Sequence, residues 1–360
     1  MNDSNSFIPE QNLPTRSLSQ YDVIRQLRFP MIVLVTFAHS YGHVADDFYL
    51  LSSEWNTYEF LKLLISQTLV KVAVPVFFVI SGYLFFANVK EWNLSVYKEK
   101  MFRRVKTLLI PYLIWNLLMA IKLKSFSWSM FWVYWLPAGI QVDWLGNEQL
   151  MTAPANMPLW FLRDLMVVSL LTPVVYIGVR RLGFWLFGLL TICYLSGICA
   201  FIPGLSAYAV YFFTLGAFLS IRNLNLVETM KRFEKPAYLL SVILAVAMLF
   251  SYHTSVFSSL MLVFRITGAI SVFCMASHLP CKFLASLSGS AYFIYLAHYV
   301  FFMSFVDGIF FALFGTSTTG LSIHYLLCPL IKVSIFVALY YCFSILLLFV
   351  KGKKDMNFLW

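Results

Sequence analysis

The sequence predicts an all-α, polytopic bundle of about ten membrane-spanning helices. Of its 360 residues, 61% are hydrophobic and only 12% are charged, which is more apolar surface than a soluble core can bury. A spanning helix needs about 20 apolar residues, so this composition suffices for roughly ten of them. Apolar runs of spanning length lie near 27–45, 61–88, 105–124, 158–179, 183–201, 205–221, 236–253, 256–277, 290–314 and 323–350.

The distribution of Lys and Arg supports this helix count and predicts the orientation. With ten helices, one face carries most of the 26 basic residues, in the segments 16–28, 90–106, 180–181, 222–235, 282 and 351–354. By the positive-inside rule that face is cytoplasmic, and it holds both termini. The net charge of +10 therefore reflects membrane topology rather than a nucleic-acid partner. The opposite loops are mainly acidic, with Asp46, Asp47, Glu54, Glu59, Asp143 and Glu148.

The chain divides into one membrane domain and two short polar ends. Residues 1–20 lack the basic and apolar regions of a cleavable signal, so we predict a disordered cytoplasmic segment followed by a self-inserting first helix. Residues 21–350 form the predicted membrane domain, and residues 351–360 form a cytoplasmic tail. The six cysteines are scattered through apolar runs without a CxxC pair, which is typical of buried hydrophobic positions.

The longest outer connection, 125–157, is rich in tryptophan and proline. Two interpretations are open for it: an aromatic belt at the membrane interface, or a platform on which sugar rings stack. The tryptophans concerned are Trp128, Trp132, Trp135 and Trp144.

Ionisable side chains within the apolar runs are the strongest sign of a functional site. At about 1.5 Å per residue, five of them lie roughly 12–16 Å from the nearest membrane face, near the midplane. The acids at depth, Asp164 and Asp307, lie near the outer ends of their runs and are too few to neutralise the lysines and the arginine, so we expect Lys71 and Arg265 to lack an acidic partner and an anionic ligand to supply the missing charge. His43 shares a helix face with His39, but no carboxylate accompanies the pair, and we predict no metal site. The five are His39, Lys71, Arg265, His298 and Lys332.

Four stretches, in order along the chain, resemble the acyltransferase-3 family. Arg28 and His39 match the family's Arg and His with ten residues between them. Residues 74–84 (VPVFFVISGYL) are similar to its FFxxSG segment, 159–163 (LWFLR) to its WFL segment, and 292–298 (YFIYLAH) to its late YLxH segment. Two positions depart from the pattern: Thr107 replaces the second Arg of a basic Arg-x-x-Arg pair, and Tyr299 replaces a Pro after the late His.

The resemblance implies transfer of an acyl group, most often acetyl, from cytoplasmic acyl-coenzyme A to a hydroxyl of a surface glycan or polyprenol-linked sugar. It implies a bacterial cytoplasmic membrane enzyme similar to surface-polysaccharide O-acetyltransferases. His39 would be the general base and Arg28 would orient the donor or the histidine. Lys71, Arg163, Arg265 or Ser81 would stabilise the oxyanion. The further donor-binding or substrate-binding candidates are Gly82, Tyr83, Arg103, Arg104, Lys106, Trp160 and His298.

A transporter or flippase for an anionic or sugar-containing substrate is the competing function. Charges at the midplane and helices interrupted near Pro75 and Pro329 also mark transport sites. Inverted repeats would favour that class, and the sequence shows none. A structural scaffold ranks last, because it has no use for buried bases.

Overall fold

The computed structural model describes residues 18–40, 44–124, 140–142, 148–150, 154–196, 204–301 and 304–351. The tail 352–360, His43, residues 1–17 and most of the outer connection 125–157 lie outside these ranges, so the predictions made for them stay predictions. The helices are α1 (Gln20–Ser40), α2 (Thr57–Phe86), α3 (Leu94–Lys122), α4 (Trp160–Leu170), α5 (Thr172–Leu182), α6 (Phe184–Ser196), α7 (Ala207–Ile221), α8 (Leu226–Lys231), α9 (Glu234–Ser251), α10 (Ser255–His278), α11 (Lys282–Leu287), α12 (Ser290–Ala297), α13 (Ser304–Phe314) and α14 (Thr318–Lys351).

The all-helical fold class is confirmed. The described residues add only a short antiparallel strand pair in the outer connection, β1 (Ile140–Val142) and β2 (Glu148–Leu150). A single turn of 3₁₀-helix, Met157–Leu159, leads into α4. Every apolar run named above coincides with one or two of these helices.

The count of about ten spans is not confirmed. Among the described helices, α2, α3, α9, α10 and α14 are long and apolar enough to cross a membrane, which makes five, or six if α4 and α5 form one span bent by 60°. The runs at 183–201 and 205–221 give helices of only 13 and 15 residues, and the run at 290–314 is split into α12 and α13. At about 1.5 Å per residue, such helices fall short of a 30 Å hydrocarbon core.

Two glycines fix the closest helix pair in the bundle, α2 against α7. A Cβ added at Gly82 would overlap the carbonyl oxygen of Phe213, and one added at Gly216 would overlap that of Val79. The two backbones therefore touch reciprocally, as in small-residue packing between membrane helices. This contact holds the segment from Ser81 to Tyr83 against α7.

Side chains near the start of α1 gather several basic loops at one end of the bundle. Gln20 Oε1 accepts hydrogen bonds from Tyr83 Oη at 2.9 Å and from Leu226 N at 3.0 Å, and Gln26 Oε1 accepts one from Cys281 N at 3.0 Å. Arg222 donates to Val179 O at 2.9 Å, which brings in the loop after α5. We call this end of the bundle, which includes the start of α1, the carboxyl end of α2 and the loops around Val179, Leu226 and Cys281, the basic end.

Helix irregularities lie beside the prolines of α2 and α3. In α2, a π-helical segment (Lys62–Thr68) and a 3₁₀ turn (Leu69–Val72) precede Pro75, and in α3 a π segment (Val105–Leu109) precedes Pro111. Proline removes a backbone donor and clashes with the preceding turn, which explains both. The predicted interruption near Pro329 is absent, since α14 runs through it as an α-helix.

Candidate functional site

Two histidines meet in the bundle, each at the carboxyl end of a helix. His39 lies in the last turn of α1, and His298 follows the last residue of α12. Their ring centroids are 5.5 Å apart, and Tyr299 packs edge-on against His39 at 6.0 Å. Helix carboxyl ends carry partial negative charge, which favours an imidazole that gains a proton during reaction.

The hydrogen bonds of His298 fix which of its nitrogens holds the proton. Nδ1 lies 2.8 Å from Tyr295 O and 3.1 Å from Ile294 O, and since carbonyls only accept, Nδ1 is the donor. Nε2 is then an acceptor with a free lone pair. It is buried and has no hydrogen-bond partner among the described residues. A base oriented from behind in this way is typical of enzymes that activate a hydroxyl.

Lys71 and Arg265 form a cationic pair beside the histidines. Lys71 lies on the 3₁₀ turn of α2, which packs against α10, where Arg265 lies. The turn that carries Lys71 also packs against α1, the helix of His39. Within the described residues Lys71 Nζ donates one hydrogen bond, to Gln67 Oε1 at 3.3 Å, and Arg265 lies with Cζ 4.7 Å from the centre of the Tyr208 ring. Within the described part of the chain, the buried Arg265 Nε has no partner.

Of the deep bases, Lys332 has an acidic partner at its own depth. Its ammonium lies 2.8 and 2.9 Å from the two carboxylate oxygens of Asp307, and His324 Nε2 lies 3.2 Å from the same carboxylate. A count of residues along one helix predicts Asp307 near the outer end of its run, whereas the run forms two helices and Asp307, on the second, lies level with the Lys332 ammonium.

Arg163 is paired as well. It is 1% exposed and lies 3.1 Å from Asp164 Oδ1, whose other oxygen accepts from Ser206 at 2.7 Å. Because Arg163 is committed to Asp164, and Ser81 lies about 15 Å from Lys71 along α2 toward the basic end, Lys71 and Arg265 are the better placed of the four predicted oxyanion donors.

Arg28 lies on the same side of α1 as His39. Eleven residues amount to about three turns, so the two side chains share a face and are separated by roughly 16 Å along the axis. Arg28 is half-buried toward the basic end, which suits a residue that meets a donor before it reaches His39.

Five of the predicted donor-binding or substrate-binding residues lie around the basic end, whereas His298 lies beside His39 and Trp160 beside Tyr208. Tyr83 Oη bonds to Gln20 there, and Gly82 packs against α7 as described above. Arg104 lies with Cζ 5.3 Å from the Phe85 ring, and Lys106 Nζ lies 4.5 Å from the Phe102 ring. Arg103 pairs with Glu99 on the same exposed face. The basic cluster of α3 therefore flanks the helix that carries Ser81.

One group of side chains has spacing compatible with a metal. The donor atoms of Asp307, His324 and Cys328 all lie within 4.8 Å of one another. Lys332, however, already binds both carboxylate oxygens and supplies the positive charge that a metal would bring. We interpret the group as a clamp between α13 and α14, and the absence of a metal stays a prediction.

Comparison with known proteins identifies the family. The sequence profile described as an acyltransferase domain matches residues 22–352, nearly the whole chain. The chain belongs to the acyltransferase-3 family. The chain is also similar to the succinoglycan biosynthesis protein ExoH of Rhizobium meliloti (strain 1021), with 30% identity over 128 residues. The alignment covers 34% of this chain and 34% of that protein. No solved structure matches the chain.

This acyltransferase-3 member also has site residues that sequence reasoning did not single out. Asn156 donates from Nδ2 to Leu296 O, two residues before His298, and its buried Oδ1 has no partner among the described residues. Tyr208 lies under Arg265 and contacts Trp160, with ring centroids 6.4 Å apart. For Asn156, the one sequence feature that could have indicated a site is its position just before the WFL segment. Tyr208 sits in an apolar run with several other aromatic residues.

Proposed function

We propose that this protein transfers an acyl group, with acetyl as the simplest case, from cytoplasmic acyl-coenzyme A to a hydroxyl of a surface glycan or polyprenol-linked sugar. The observation that carries the proposal is the close pair of His39 and the buried His298, whose Nε2 has no hydrogen-bond partner among the described residues. Such a nitrogen can accept a hydrogen bond from a hydroxyl of the substrate.

The donor enters from the basic end. The phosphates of coenzyme A suit Arg103, Arg104 and Lys106, because guanidinium and ammonium groups match phosphate in charge and in donor geometry. Ser81 and Tyr83 border this entrance on α2. The thioester arm then follows the face of α1 that Arg28 and His39 share.

The chemical step needs a base and an oxyanion donor. His39 takes the proton of the acceptor hydroxyl, whose oxygen bonds to the thioester carbonyl carbon, while Nε2 of His298 binds and orients the acceptor. The tetrahedral oxyanion is stabilised by Lys71 or Arg265. When it collapses, the carbon–sulfur bond breaks and the thiolate leaves with the proton held by His39. Atoms and charge balance without a metal.

The setting follows from the charge distribution. We place the basic end and both termini on the cytoplasmic side of a bacterial cytoplasmic membrane, with the acceptor reaching the histidines from the opposite side. The protein's partners are then membrane lipid and a glycan acceptor, with no role for nucleic acid. The oligomeric state is left open.

The test is thioester consumption by purified protein in nanodiscs. We expect thiol release from acetyl-coenzyme A to rise on addition of glycan acceptors, and His39→Ala to abolish it. His278→Ala serves as the matched control, because His278 pairs with Glu234 on the surface and its side chain is 54% exposed. A protein that moves a labelled sugar across vesicles without consuming thioester would instead be a transporter.

A further inference from the structure

Lys71 and Arg265 are two neighbouring cations in a helical bundle whose described acids are committed elsewhere. Asp164 is held by Arg163 and Ser206, and Asp307 by Lys332. Glu59 accepts from Lys62 at 3.0 Å and from Ala45 N at 2.9 Å. The remaining described acids lie in loops or near helix ends. No described carboxylate therefore neutralises the pair.

The contacts around the pair are shaped to receive an anion. Tyr208 lies against the flat face of the Arg265 guanidinium and Tyr194 accepts a hydrogen bond from it, while Nε is buried and has no partner among the described residues. The Lys71 ammonium has one hydrogen bond to a described residue, the neutral Gln67 amide. Two like charges held together in this way repel each other, and an anion between them removes that cost.

We infer that Lys71 and Arg265 bind a carboxylate carried by the substrate. This inference rests on the proposed function and specifies the substrate class. The carboxylate belongs either to a dicarboxylyl thioester, such as a succinyl donor, or to an acidic sugar in the acceptor. Both sources offer the planar group that a guanidinium binds with two parallel hydrogen bonds.

The position of the pair excludes the phosphates of coenzyme A as the ligand. Lys71 lies near the middle of the 30-residue helix α2, whereas Tyr83 and Phe86 at its carboxyl end mark the basic end. At about 1.5 Å per residue, the distance from Lys71 to Phe86 is roughly 22 Å. The turn that carries Lys71 instead packs against α1, whose last turn carries His39, where the proposed acyl carbonyl and acceptor hydroxyl meet.

The experiment compares substrates in pairs that differ in one carboxylate. Purified protein in nanodiscs is given succinyl-coenzyme A or acetyl-coenzyme A as donor, and p-nitrophenyl glucuronide or p-nitrophenyl glucoside as acceptor. The readout is the ratio of kcat/KM within each pair, which does not depend on the fraction of protein that is folded. The variants are Lys71→Met, Arg265→Met and Arg265→Lys.

We expect one of the two pairs to show a preference for the acidic member of roughly 10- to 100-fold, as removal of a charge-assisted hydrogen bond usually costs. The donor pair and the acceptor pair tell the two sources apart. Lys71→Met and Arg265→Met should bring the ratio close to one, and Arg265→Lys should retain part of it. The double variant Lys332→Met/Asp307→Asn removes a buried cation elsewhere and should leave the ratio unchanged.

Two outcomes would overturn the inference. The first is active protein whose ratios are close to one for both pairs. The second is a loss in Lys71→Met that is equal for acidic and neutral substrates, which would assign Lys71 to the oxyanion alone. Absence of transfer from every donor would be a different result, since it would reject the proposed function itself.

Discussion

Lys332 and Lys71 lie at similar depth in long apolar helices, yet their surroundings differ. The ammonium of Lys332 is enclosed with both oxygens of Asp307, with His324 and Cys328 completing a clamp between α13 and α14. Among the described residues the Lys71 ammonium bonds to one amide, that of Gln67, and the turn that carries it packs against the helix of Arg265. Depth alone therefore does not mark a functional site. A buried base whose charge is already neutralised holds helices together, and one that lacks an anion is available to a ligand.

The largest effect is expected at the histidine pair beside Lys71. His39→Ala should lower transfer by about 10³-fold, since a positioned base contributes roughly 10²- to 10⁴-fold. Its thermal unfolding temperature should stay close to that of the parent, because the substitution leaves no charge unpaired. Rates of thiol release measure the first effect and unfolding in detergent the second. Full activity of a well-folded His39→Ala would move the base to His298, whose Nε2 is the better oriented nitrogen.

The free energy of unfolding should depend on Lys332 and not on Lys71, which is the reverse of what we expect for activity. Lys332→Met leaves the Asp307 carboxylate buried without its ammonium and should lower the free energy of unfolding by about 3 kcal/mol. Lys71→Met removes an uncompensated charge and should leave that free energy unchanged or raise it. Denaturation in detergent micelles compares the two variants. Asp307→Asn added to Lys332→Met should recover most of the loss, and failure to recover would show that the ion pair is not what the clamp supplies.

Much of the fold could be predicted from sequence because apolar length is a local property. Each apolar run became helical, and the Arg-to-His spacing on α1 led to the correct family. The depth of a side chain in the membrane could not be predicted from the sequence once its run departs from a continuous α-helix. A count at constant rise assumes an unbroken helix, whereas the run at 290–314 forms α12 and α13, and Asp307 on α13 pairs with Lys332. Pairing, and with it the distinction between clamp and site, depends on contacts between helices that no single run contains.

The same limit applies to the finer features of the site. In the sequence, His298 is one member of a motif. Its proton is assigned to Nδ1 because Nδ1 contacts the carbonyls of Ile294 and Tyr295 in the last turn of α12, and the motif does not reveal that contact. Gly82 appeared as part of the donor segment. The structure gives it a packing role against Phe213 in addition, and its donor-binding role stays a prediction.

A smaller effect is expected where α2 meets α7. Gly82→Ala forces a Cβ into the carbonyl of Phe213 and should cost about 2 kcal/mol of stability, as overpacking in a tight core does. Gly188→Ala is the matched control, because a Cβ there meets nothing within 4 Å. Melting temperatures in detergent compare the two variants. If Gly82→Ala instead melts normally and loses only donor affinity, the segment acts on coenzyme A directly.

The smallest effect is expected at the basic end, where two adjacent arginines repeat the contrast between the lysines. Arg103 is exposed and already paired with Glu99, whereas Arg104 is half-buried against Phe85 and has no acidic partner among the described residues. Arg104→Gln should therefore weaken coenzyme A binding by about 1 kcal/mol, and Arg103→Gln by less. Isothermal titration at low and high salt checks this.

Salt separates these two arginines further, because mobile ions screen exposed charges over about 10 Å at 0.1 M and screen partly buried ones less. The loss in Arg103→Gln should disappear at high salt, and part of the loss in Arg104→Gln should persist. Arg180→Gln, which removes an arginine of the same end that packs on Tyr176, is the control for general surface charge. Equal losses in all three variants would mean that the donor responds to the summed charge of the basic end. An effect confined to Arg104 would mean that an unpaired cation marks the binding position here too, as it does between Lys71 and Arg265.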